Sequence, residues 1–218
     1  MQIIKAFTLQ QVWHSYLILS ILNNVIMQID RGYKRMYALV TGGTSGIGYE
    51  LAKLLAADGY HLIIVARDEV ELLNVSQEIK DVYGVNVVII SKNLFDPQNA
   101  LTLYSEIAAR NIEVEILINN AGQGHYGEFV DTDIIRELDI INLNICSLVV
   151  LTKLCLQDMV NRGSGRILNL SSVASKTPGP WQAVYHGTKA FVQSFTEAIR
   201  SERIRCYDNS IVTWCYSN

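Results

Sequence analysis

The chain has 218 residues and a mass of 24.5 kDa, the size of one domain. Half of its residues are hydrophobic and 18% are charged, so a sizeable buried core is available. With 18 basic and 21 acidic residues the net charge is −3, and with no Lys/Arg stripe a nucleic-acid partner is excluded. The four cysteines, Cys146, Cys155, Cys206 and Cys215, show neither CxxC spacing nor nearby histidine pairs. No metal site or disulfide framework is expected, and reduced thiols in the cytoplasm are.

The two ends differ from the middle. Lys5, Arg31, Lys34 and Arg35 stand against Asp30 in residues 1–35, and Arg203 and Arg205 against Asp208 in residues 203–218. The acidity is therefore concentrated in 36–202. Val12 to Ile29 is mostly apolar, but His14, Asn23, Asn24 and Gln28 interrupt it. It falls short of the ~20 apolar residues of a membrane span. It also lacks a small-residue cleavage site, so neither an anchor nor a signal peptide is the favoured reading.

From Met36 the pattern is regular. Residues 37–40 read as a strand entering a glycine-rich turn, Thr41 to Gly48, and Ile47, Leu51, Leu54 and Leu55 recur at helical spacing. A turn of this kind between strand and helix lets backbone approach a pyrophosphate, with the helix N-terminus supplying N–H donors. Gly42, Thr44, Ser45, Gly46, Ile47 and Gly48 are the candidate residues. Residues 61–66 form a second strand ending at Ala66-Arg67. An NAD site places an acid there for the ribose 2′-hydroxyl. Ala66 offers none, and Arg67 can pair with a 2′-phosphate, which favours NADP. Alternatively, Arg67 is a solvated strand end and Asp68 a helix cap.

Leu72, Val75, Ile79 and Val82 mark one face of the next helix, and residues 86–90 a third strand. Asp96-Pro97 starts a helix, as an N-cap followed by proline in the first turn. Residues 115–118 form a fourth strand, followed by Asn119, Asn120, Ala121 and Gly122. Small residues there let a cofactor lie across the strand ends, and asparagine side chains can tie neighbouring backbones together. A long helix over about 133–161 stops at Gly163-Ser164-Gly165. Residues 166–171 form a fifth strand, and a helix over about 182–202 follows the loop Pro178-Gly179-Pro180. Buried strands alternating with helices predict an α/β fold, a doubly wound parallel sheet in three layers.

The most specific element is Tyr185 and Lys189, four apart on one helix face, with Ser172 thirteen residues earlier at the end of the fifth strand. A phenol is a poor base at neutral pH, and a nearby ammonium stabilises the phenolate. Together these motifs resemble the short-chain dehydrogenase/reductase family over 36–202. The resemblance implies a Rossmann-type fold and hydride transfer between NADP(H) and a small carbonyl or alcohol substrate. It assigns the general acid/base to Tyr185, ribose binding and phenolate stabilisation to Lys189, and carbonyl polarisation to Ser172 rather than Ser171. It gives a supporting role in proton relay to Asn144, which fits better than Asn142. Asn120, Ala121, Gly122, Tyr185 and Lys189 are implied cofactor contacts. Asn93 and Leu94 stand where the family has an acid against the adenine, and the Asn93 amide oxygen can still accept from the adenine amine. Gln123, His125, Tyr126 and Trp181 are candidates for a substrate pocket or for ordinary packing. Homo-oligomerisation of the full-length parent through two long helices is also implied.

The family continues beyond residue 202 with a sixth strand, a Pro-Gly turn, a substrate-covering segment and a seventh strand, so the fold is expected to miss its last strand. Read one nucleotide later, 203–218 can encode a string with the Pro-Gly turn. The tail is therefore expected to be an out-of-frame reading, which the nucleotide sequence tests. Residues 211–216 are β-prone and are expected to fill the sixth-strand position all the same. Residues 1–35 are expected to lie outside the family domain, upstream of a native start at Met36. The competing functional expectation is a non-catalytic fragment that keeps dinucleotide binding.

Overall fold

The computed structural model describes residues 36–202 and 211–216. The expectations for residues 1–35 and for most of the tail therefore lie outside the described residues. Six strands form one parallel sheet: β1 (Tyr37–Thr41), β2 (His61–Ala66), β3 (Val87–Ser91), β4 (Val114–Asn119), β5 (Arg166–Ser172) and β6 (Ile211–Tyr216). Their spatial order is β3-β2-β1-β4-β5-β6. The order reverses between β1 and β4, which places a crevice outside their carboxyl ends. β6 fills the sixth position, in register with β5 from Ile167↔Ile211 to Ser172↔Tyr216. A seventh strand has no counterpart among the described residues.

The helices are α1 (Gly46–Ala57), α2 (Glu69–Tyr83), α3 (Pro97–Ala109), α4 (Ile134–Ile141), α5 (Leu148–Arg162) and α6 (Ala183–Ser201). The strands are apolar on both faces. Leu39, Ile63, Val65 and Leu117 share a cluster with Leu103 and Ile107 of α3 and Leu151, Cys155 and Met159 of α5. Their strand neighbours Ala38, Val40, Leu62 and Ile64 are as deeply buried and point the other way by alternation, toward the side of α1 and α2.

Aspartates start three helices. Asp68 accepts from Glu71 N at 2.9 Å, Asp96 from Gln98 N at 2.9 Å and Asp133 from Ile135 N at 3.0 Å. The cap at Asp96, with Pro97 in the first turn, stands where the sequence places it. Two details differ from expectation. Val82 is 65% exposed rather than on the buried face of α2, because it falls in the last turn, beyond Ile79, and Val85 takes the buried position instead. The third strand starts at Val87 rather than Asn86, because Asn86 N donates to the His61 ring instead of to the ladder.

The long helix is a composite. A π turn, Asn142–Ser147, joins α4 to α5, so the element runs continuously from Ile134 to Arg162. Its composition would suit a membrane span by length and hydropathy. Here Leu143, Leu148, Leu151, Cys155 and Met159 are buried against the sheet and α3.

Four side chains form a polar chain inside this core. Asn119 Nδ2 donates to Asn169 Oδ1 and to Thr152 Oγ1, both at 2.9 Å, and Asn169 Nδ2 donates to Thr196 Oγ1 at 3.0 Å. All four residues are at most 3% exposed. The chain links β4, α5, β5 and α6 directly beneath the crevice.

Candidate active site

A cleft of about 1030 Å³ lies over the carboxyl ends of the strands. This is the upper end of the range for small-molecule and cofactor sites. Its floor begins at the glycine-rich turn. Gly42 has φ +65°, a left-handed conformation that favours glycine. Thr41 Oγ1 accepts from Asn120 N at 3.1 Å and Ala121 N at 3.0 Å, and donates to Ile118 O. Asn120 Nδ2 donates to the carbonyls of Thr41 and Gly42 at 3.0 and 2.9 Å. The turn after β1 and the loop after β4 are thus tied on both sides of the switch point.

Gly42, Thr44, Ser45 and Ile47 line the cleft; Gly46 and Gly48 do not. Gly48 acts one layer down. A Cβ there would stand 2.2 Å from Gly42 O and 2.3 Å from Asn120 Nδ2, so only glycine lets α1 approach the tied turn. Unlike α2, α3 and α4, α1 has no side-chain cap, and its first turn holds no acidic residue. An N-terminus in that condition suits an anionic group.

Ala66 and Arg67 also line the cleft, and Asp68 caps α2. Asn93 is exposed at the rim, where its Oδ1 accepts from Phe95 N at 3.3 Å. Leu94 lines the cleft but is 5% exposed, with its side chain in the core cluster. Ala121 and Gly122 line the central part.

At the other end Ser172, Tyr185 and Lys189 come together on one wall. Lys189 is buried, and its Nζ donates to Leu170 O at 2.9 Å and lies 5.9 Å from the Tyr185 ring centre. Ser171 Oγ donates to Lys189 O at 2.8 Å and pins α6 to β5, whereas Ser172 Oγ accepts from Ala174 N. Both serines line the cleft.

Asn144, the candidate for a supporting role in proton relay, does not itself line the cleft, but its Oδ1 and Lys189 Nζ both lie against Gly122, which does. Asn144 is 1% exposed within the π turn. Its Oδ1 accepts from Gln123 N at 2.9 Å, and its Nδ2 donates to Gln123 O at 2.8 Å and Thr188 Oγ1 at 3.0 Å. Thr188 Oγ1 in turn donates to Tyr185 O. Asn144 therefore joins the loop after β4 to the helix of Tyr185. Asn142 has no such place.

Gln123 and Tyr126 line the cleft, and Tyr126 stacks on Trp181 with ring centres 6.1 Å apart; His125 is not part of the lining. Sequence reasoning missed Thr41, Phe95 and Arg136. Arg136 from α4 reaches the Gln123 side chain and the Phe95 ring, contacts between distant residues that no local signal announces.

The sequence pattern of the short chain dehydrogenase family matches residues 36–206. The chain belongs to the short-chain dehydrogenase family. Among curated members, it is 36% identical over 171 residues to a very-long-chain 3-oxoacyl-CoA reductase of Laccaria bicolor, covering 78% of this chain and 51% of that one. The corresponding rat enzyme is 35% identical over 176 residues, covering 76% and 54%. The chain thus spans about half the length of the curated relatives it matches. Among solved family structures, a short-chain dehydrogenase from Sphingobium yanoikuyae in complex with NADPH is 33% identical, with a TM-score of 0.72. That match covers 77% of this chain and 65% of that one. L-sorbose reductase from Gluconobacter frateurii, complexed with NADPH and L-sorbose, is 25% identical with a TM-score of 0.77, covering 85% and 70%.

Proposed function

We propose that this short-chain dehydrogenase is an NADP(H)-dependent oxidoreductase that interconverts a carbonyl and an alcohol. The observation that carries the reading is the gathering of Ser172, Tyr185 and Lys189 in a cleft that Arg67 also lines, with Ala66 at the end of β2 where an NAD site places its acid. The uncapped N-terminus of α1 and the tied turn at Gly42 fit a dinucleotide pyrophosphate. When bound, the nicotinamide supplies or accepts the hydride. Tyr185 then holds the proton that the substrate oxygen gains or loses. The Lys189 ammonium stands beside the Tyr185 ring, and Leu170 O fixes its place. The Ser172 hydroxyl donates to the substrate oxygen.

The substrate class we infer is a 3-oxoacyl thioester or similar ketone with an apolar tail. Two things support it. The curated relatives named above are 3-oxoacyl-CoA reductases. The exposed Tyr126–Trp181 stack offers an apolar surface, and its Tyr126 lines the same cleft as Tyr185. Cytoplasmic location and self-association through the long helices belong to the same reading. For the latter, Leu138 and Phe191 stand exposed on α4 and α6.

The test is NADPH oxidation by the 218-residue chain with 3-oxoacyl thioesters of increasing length, beside Tyr185→Phe. Losing the acid/base group should cost at least about 10²-fold in kcat while NADPH binding stays. A variant as active as the parent would overturn the assignment. NADPH binding without turnover of any ketone would favour the non-catalytic reading.

A further inference from the structure

Three cations stand at the adenosine end of the cleft or beside it, and they differ in how they are neutralised. Lys92 is paired with Glu106, Nζ to Oε1 at 2.5 Å. Arg67 and Arg136 have no carboxylate partner among the described residues. The carboxylates nearest in sequence to Arg67 and Phe95 are Asp68 and Asp96, which are engaged in capping α2 and α3. The hydrogen-bond partner of Arg136 is the neutral Gln123 side chain.

The two unpaired guanidiniums converge on one ring. Arg67 Cζ lies 5.2 Å from the centre of Phe95, and Arg136 Cζ lies 5.3 Å from it. They arrive from distant parts of the chain, Arg67 after β2 and Arg136 from α4, while Phe95 comes from the β3–α3 loop. Each gains from the ring quadrupole, but two like charges at one ring also repel, and neither forms an ion pair with Asp68 or Glu71, the carboxylates that line the same cleft. Guanidinium is the side chain best suited to a phosphate oxyanion, through its planar fork of donors.

We propose that Arg136 and Phe95 complete, with Arg67, the site for the phosphate monoester on the adenosine ribose of the cofactor. This rests on the NADP reading above and extends it to two residues. Arg136 supplies the second positive charge. Phe95 is a positioning residue that holds both guanidiniums at the cleft margin, so less side-chain freedom is lost on binding.

The experiment is equilibrium titration of the full chain with NADPH and NADH, followed by nucleotide fluorescence, with 2′,5′-ADP and 5′-AMP as competitors. The variants are Arg67→Met, Arg136→Met, Phe95→Leu and Phe95→Tyr, each checked for an unchanged thermal midpoint. Arg136→Met should weaken NADPH about tenfold and NADH less than about twofold, as expected for losing one charged partner of a phosphate. Phe95→Leu should act in the same direction, and Phe95→Tyr should restore the parent value. The preference for 2′,5′-ADP over 5′-AMP should fall with the NADPH preference. An equal loss for NADPH and NADH in Arg136→Met would mark a role in holding the Gln123 loop and overturn the proposal. An unchanged ratio in Arg136→Met with a collapsed ratio in Arg67→Met would also overturn it, leaving the NADP reading intact on Arg67 alone. A ratio unchanged in both would overturn the two together.

Discussion

A methyl group at residue 48 would meet a main-chain carbonyl and an amide nitrogen that are both already held in hydrogen bonds. Neither can retreat cheaply, because Asn120 Nδ2 is shared between the carbonyls of Thr41 and Gly42. Gly48→Ala should therefore push α1 off the turn. We expect a stability loss of about 1–3 kcal/mol, the usual cost of overpacking, and a larger proportional loss of dinucleotide affinity. Thermal melting and NADPH titration check this, and a variant that melts normally and binds normally would refute it. Residue by residue, the site was legible where its chemistry is local. Tyr185 and Lys189 announce themselves by a spacing of four, and the turn by its glycines. Arg136 and Phe95 are separated by 41 positions (136 against 95), and nothing in either neighbourhood signals the other. Thr41 and Asn120 meet only because the strand order reverses between β1 and β4.

Helix beginnings are the best-specified feature at the scale of elements. Asp96 accepts from Gln98 N, and Pro97 has no N–H to leave unsatisfied. Asp96→Ala should lower stability by about 1 kcal/mol, read as a shift in denaturant midpoint with an unchanged slope. A shift within error would show that water caps α3 as well. The π turn had no such signature. Its residues, Asn142 to Ser147, read as ordinary helix, and the extra residue per turn emerges only through tertiary contacts. There Asn144 bonds the Gln123 backbone and Ser147 Oγ donates to Leu94 O at 2.7 Å. Val82 failed for a related reason. Hydrophobic periodicity states which face a residue occupies, not whether the sheet still lies beneath it in the last turn.

For the molecule as a whole, alkaline pH is the informative variable. Burial pushes the Cys155 thiol from its ordinary value near 9 up to about 12. Hydrogen bonds to Glu78 and Asp158 raise Tyr49 and Tyr104 from near 10 to about 12. In each case the folded state holds its proton longer than the unfolded chain does. The stabilisation is complete below pH 9 and is lost as the pH rises toward 12. Urea midpoints should therefore fall across that window. Cys155→Ala should begin from a lower midpoint, because it leaves a cavity, yet fall less steeply above pH 9. A slope identical to the parent would remove Cys155 from the account.

The buried chain of Asn119, Thr152, Asn169 and Thr196 has one more consequence. Val, Ile and Leu on both faces of a parallel strand are nearly interchangeable, so apolar packing alone distinguishes weakly between one alignment of β4 on β5 and another. Asn119 and Asn169 are direct partners across those strands. Sliding one strand past the other would leave two amides without partners in a medium that penalises them heavily. The pair acts as an alignment key. It sets which residues of β5 emerge at the crevice, where Ser171 and Ser172 line the cleft together with Tyr185.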